Sequence, residues 1–119
     1  MAFRFEDYQV YKDARELFKV INELCVNLPK KEVYVLTDQI RRATLSVVLN
    51  IAEGYSRESV KERRNFLRIA MGSAGEVVAC LDIMCDIGYL SGEQRGKIYK
   101  SVEEIAKQLN KLVHKPFNN

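Results

Sequence analysis

Tryptophan is absent from the 119-residue chain, histidine occurs once, proline twice and glycine six times. The lone histidine, His114, leaves no His-Glu-His metal motif and no credible Cys-His pair, so the usual zinc and thiol-nucleophile chemistries have no residues to carry them. Nor is there a nucleophile elbow around a serine or a glycine-rich run that could cradle phosphate. Two prolines, Pro29 and Pro116, and few glycines leave little room for long linkers. No stretch reaches the 18 or more apolar residues of a membrane span, and none near the start has signal length, so a cytoplasmic protein without a membrane partner is expected. Cys25, Cys80 and Cys85 are odd in number and sit in apolar helical patterns. They read as small buried hydrophobes, since a Cys80/Cys85 zinc pair would lack at least two ligands. No metal and no cofactor is expected.

What the chain does have is helical periodicity. A first helix is predicted from about Tyr8 to Leu28, with Val10, Ala14, Leu17, Ile21, Leu24 and Leu28 as its seam, Asp7 as N-cap and Pro29 as its stop. After the basic link Lys30-Lys31, a second helix should start at about Glu32 or Val33 and end near Gly54, a suitable left-handed C-terminal residue. A third opens at Ser59 with Glu62 completing a capping box, carries Phe66, Ala70, Ser73, Val77, Leu81 and Met84 inward, and stops at Gly88. Gly72 and Ser73 would let a neighbouring backbone approach. The fourth opens on a Ser91/Gln94 box and buries Ile98, Val102, Ile105, Leu109 and Leu112. Long helices joined by short turns must run antiparallel, which predicts an all-α, up-down-up-down four-helix bundle over residues 1–119 as one domain.

The second helix carries an unusual polar row, Gln39, Arg42, Ser46, Asn50 and Glu53, beside its apolar stripe of Leu36, Ile40, Ala43, Val47 and Ile51. Serine and asparagine disfavour helix interiors, so the row is expected to face protein or a ligand. With Glu76 it forms a predicted interhelical polar network. Leu45, Val48 and Leu49 fall outside the main stripe and point to a surface for a partner.

The runs QIRRATLSVVLNIAEGYSR at Gln39 to Arg57, RRNFLRIAMGSAGE at Arg63 to Glu76 and DIGYLS at Asp86 to Ser91 resemble the four-helix-bundle family encoded by intervening sequences of bacterial 23S ribosomal RNA genes. The likeness spans nearly the whole chain. It implies a compact bundle that assembles as a homo-oligomeric ring, commonly a pentamer. Related bundle proteins are accessory factors to reverse transcriptases in diversity-generating retroelements, which implies nucleic acid and a reverse-transcriptase-type protein as partners. No catalytic residue comes with the resemblance. Val48 departs from it, since relatives often carry proline there, and a valine keeps the backbone donor and a straighter helix.

The net charge of +3 hides a division. Residues 41–68 hold seven bases and three acids, residues 69–94 four acids and no base, and residues 95–119 six bases and two acids. Arg57, Lys61, Arg63, Arg64 and Arg68 around the second turn are the candidate nucleic-acid contacts, acting on phosphates with little base specificity. Pairing with nearby glutamates is the competing explanation. The leading expectation is a non-enzymatic, homo-oligomeric accessory protein that contacts RNA or a ribonucleoprotein; the alternative is an oligomeric scaffold that never touches nucleic acid. An enzyme using Glu53 or Glu76 as general base beside Arg42 would need those groups to converge on a pocket.

Overall fold

The computed structural model describes residues 3–29 and 34–116. A 3-10 turn, Arg4–Asp7, leads into α1 (Gln9–Val26), followed by α2 (Tyr34–Tyr55), α3 (Val60–Asp86) and α4 (Gly92–Val113). α1 packs on α2, α2 on α3, α3 on α4 and α4 back on α1, while among the described residues the backbones of the diagonal pairs stay apart. Side-chain contacts fix the sense of each neighbour. Ser46 meets Ser73 while Gln39 meets Glu76, so α2 and α3 run in opposite directions. Asp82 with Arg95 and Arg64 with Lys115 do the same for α3 and α4, and Asp13 with Gln108 brings the start of α1 to the end of α4. The result is an up-down-up-down antiparallel bundle, 48 Å along its long axis.

All four seams feed one core. Leu17 and Ile21 of α1, Ile40, Val47 and Ile51 of α2, Leu67, Val77, Leu81 and Met84 of α3, and Ile105 and Leu109 of α4 are almost completely buried. Their three- and four-residue spacing is what turns one face of each helix inward. Such side chains stabilise by roughly 1.5–3 kcal/mol each, which offsets the entropy of ordering helices that would not stand alone. Val48 joins this core, while Leu45 and Leu49 stay 42% and 55% exposed. Among the three cysteines, Cys25 and Cys80 are buried and Cys85 is half-buried, all as free thiols.

The helix ends agree with the sequence in part. α4 has the full Ser91/Gln94 capping box, with bonds of 3.1 and 2.9 Å. At α3 the Ser59 hydroxyl accepts from the Glu62 amide at 3.3 Å. Gly88, at φ 83°, closes α3: its amide donates to the Cys85 carbonyl and the Tyr89 amide to that of Met84, the paired bonds of a Schellman motif.

Two expected caps are different. Asp7 lies within the 3-10 turn, and the N-cap of α1 is Tyr8, whose phenol has no acceptor short enough to cap the helix and whose ring packs against Tyr55. Gly54 does not end α2 in a left-handed conformation, for it is buried inside the helix. The amides of Ser56 and Arg57 donate back to the Ala52, Glu53 and Gly54 carbonyls, and the Ser56 hydroxyl adds a bond to Ala52 at 2.8 Å, so that end closes without a left-handed glycine. The predicted start of α2 at Glu32 or Val33, and Lys30 and Lys31, lie outside the described residues.

Candidate nucleic-acid interface

The bundle topology places the start of α1, the end of α2, the start of α3 and the end of α4 at one pole. Between them opens a cleft of about 620 Å³, lined on its polar side, among the described residues, by Arg63 and Arg64 of α3, Lys111 and Lys115 from the end of α4, Gln9, Gln108 and a single carboxylate, Asp7. An antiparallel bundle puts two helix N-termini and two C-termini at each pole, so their dipoles largely cancel. The side chains therefore set the sign of the cleft, four cations against one anion among the described residues.

Gly54 is the residue that assembles its aromatic wall. A Cβ on Gly54 would lie 3.1 Å from the Arg63 carbonyl oxygen and 3.2 Å from the Phe66 Cβ, tighter than ordinary packing, so the first turns of α3 pass close to α2 in the room that glycine leaves. That approach brings the Arg63 guanidinium over the Tyr55 ring at 5.2 Å, and Tyr55 in turn meets Tyr8 edge to face at 4.7 Å. Arg63 is half-buried, makes no ion pair among the described residues, and its buried Nε has no hydrogen-bond partner. Aromatic contact rather than a carboxylate holds its charge in place. Burial raises the Tyr55 phenol above the ordinary tyrosine pKa; Arg63 offsets part of that and Tyr8 adds to it.

The five basic residues singled out in the sequence do not form one patch. Arg63 and Arg64 reach the cleft, where Arg64 also donates to the Lys115 carbonyl. Lys61 and Arg68 are exposed on α3, three residues before and four after Arg64 and so along the same helical stripe; Arg68 bonds Asn65 at 3.3 Å. Arg57 is drawn elsewhere, paired with Glu53 and lying over the Phe66 ring at 5.1 Å. Sequence reasoning missed Lys111, Lys115 and Tyr8. The antiparallel order it predicted would have placed them at the pole of Arg63 and Arg64.

The polar row of α2 divides. Ser46 Oγ lies 2.7 Å from Ser73 Oγ, and Asn50 donates to the Ser46 carbonyl and hydroxyl at 2.8 and 3.0 Å. Gln39 reaches Glu76 at 3.5 Å. Arg42 turns to Asp38 on its own helix at 2.9 Å, and Glu53 to Arg57. Arg42, Glu53 and Glu76 thus have separate partners and do not converge on a pocket. Gly72 faces open space, with nothing near the position of a Cβ, so the close approach occurs at Gly54 and not there. Among the described residues no group of three or more His, Cys, Asp or Glu could hold a metal ion, and no helix is long and apolar enough to cross a membrane.

Fold and site define an all-α antiparallel four-helix bundle with a basic, aromatic cleft at one pole. The chain belongs to the 23S rRNA-intervening sequence protein family, whose model matches residues 6–111. It is similar to a crystal structure from Bacteroides thetaiotaomicron described as a protein of unknown function from the S23 ribosomal protein family, with 27% identity and a TM-score of 0.83 over 89% of this chain and 99% of that one. No curated protein matches.

Proposed function

We propose that this is a non-enzymatic, homo-oligomeric accessory protein that contacts RNA, alone or in a ribonucleoprotein, through the basic pole of its bundle. The observation that carries the reading is the convergence, among the described residues, of four cations on one cleft lined by a single carboxylate, with Lys61 and Arg68 extending the charge along α3. Counter-ion release from the RNA backbone would drive binding, with little base specificity. Repeated poles in an oligomer would multiply it. Self-association is supported by exposed apolar side chains on α2 and α3. The Ser46–Ser73 contact sets the register, and both Leu49 and Ile69, exposed by about half, lie one turn from it in the same direction.

Binding to RNA and DNA across a salt series tests this. Affinity is expected to fall steeply with salt, and Lys61→Gln should make the slope shallower by about one. No detectable affinity at low salt rejects direct binding and returns weight to a scaffold that works only through protein partners, a reverse-transcriptase-type protein among them. Light scattering that finds only monomer at micromolar concentration would reject the oligomer.

A further inference from the structure

We infer that the polar cleft is a receptor for a single nucleotide carrying a terminal phosphate, its base stacked on the Arg63 guanidinium and its phosphate held by Lys111 and Lys115. This deepens the proposed RNA-contacting role and rests on it only in part, since a free nucleotide and a phosphorylated strand end share the same chemistry.

Three observations converge. The cleft volume of about 620 Å³ falls within the range of small-ligand sites, whereas a duplex would need a broad open surface. Its wall is layered. The Arg63 guanidinium lies over Tyr55, 5.2 Å from the ring centroid, with Tyr8 edge to face beyond, and all three residues line the cleft, so a cationic and an aromatic surface stand side by side for a base to stack on. Finally, the charge is not internally cancelled. Among the described residues Arg63 has no carboxylate partner, Lys111 and Lys115 line the same cleft, and Asp7 is the one opposing group in its lining. A terminal phosphate carries up to about two negative charges, against one for a phosphate within a strand, so an excess of cations in a confined space favours the end of a chain over its middle. An acidic peptide would meet the charge and leave the stacking plane unused.

Calorimetric titration of the intact protein compares four unlabelled ligands: a 5′-phosphorylated and a 3′-phosphorylated pentaadenylate, an unphosphorylated heptaadenylate of matching total charge, and AMP. At least one phosphorylated pentamer should bind about tenfold or more tighter than the heptamer, and Arg63→Met should weaken the pentamers by more than it weakens the heptamer, erasing that preference. Should Arg63→Met fail to fold, Lys115→Met, at an exposed position beyond the last helix, should lower the preference severalfold. AMP as tight as the better pentamer would identify a free-nucleotide site; AMP tenfold weaker would identify a strand end. Equal binding of pentamers and heptamer overturns the inference and leaves the RNA reading standing. AMP binding without affinity for longer RNA keeps the cleft and sinks that reading. Inorganic phosphate as tight as AMP, or a polyglutamate peptide as tight as the pentamers, would also overturn it.

Discussion

Gly54 and Gly72 look alike in the sequence, both glycines within helices rich in good formers, and the structure gives them opposite roles. At Gly54 an added methyl would press on the Arg63 carbonyl and the Phe66 Cβ at the close approach of α2 and α3, and neither backbone can retreat without loosening that packing. At Gly72 it would meet nothing. Alanine gains about 1 kcal/mol of helix propensity at either site. At Gly54, overpacking of about 1–3 kcal/mol should win, so Gly54→Ala lowers the midpoint of denaturant unfolding and Gly72→Ala raises it. Equal shifts in one direction would contradict this account. The cysteines make a second case at this scale. Burial raises the pKa of both Cys25 and Cys80; Arg41 opposes and Cys80 reinforces the shift at Cys25, and Glu76 reinforces it at Cys80. The folded form therefore holds protons that the unfolded form releases above about pH 8.5, and stability should fall as pH rises through the window between the unfolded and raised folded values. Replacing both by alanine should flatten that decline in urea melts taken at rising pH.

Among the elements, periodicity was enough to place four helices and most of their buried residues, because a repeated three- and four-residue spacing leaves few alternatives to an inward face. Ends were harder to read. Ser91 and Gln94 act locally and were legible, while Tyr8 takes the N-cap position of α1 through a ring contact with Tyr55, 47 positions away, that no local rule contains. Ser46, Asn50 and Ser73 show the intermediate case. Their residue types marked a face turned toward protein, and the partner Ser73 became visible only once the register of α2 on α3 was known. Asn50 donates to the Ser46 hydroxyl, which also shares a hydrogen bond with the Ser73 hydroxyl, either of the two able to donate. A double-mutant cycle over Ser46→Ala and Ser73→Ala should return a coupling of about 0.5–1.5 kcal/mol. Additive losses would mean that the two hydroxyls are neighbours without a shared bond.

For the whole molecule, the order of the helices decides which distant segments meet, and the candidate site depends on that. Arg63 and Arg64 stood out as a local run of charge; Lys111 and Lys115, some fifty positions later, did not. The ring of packed helices also has a weakest joint, because α1 and α4 share the least contact of the four neighbouring pairs. The nucleotide cleft sits at one end of that joint, with Tyr8 and Gln9 on the α1 side and Lys111 and Lys115 on the other. Local opening should therefore begin along it, and amide hydrogens at the start of α1 and the end of α4 should exchange before those buried between α2 and α3. A ligand in the cleft would bridge the two helices that hold each other least, slowing exchange there first. Occupancy of the pole would then be felt along the α1–α4 joint as a loss of motion, so that the most easily opened part of the bundle becomes the part that senses what it carries.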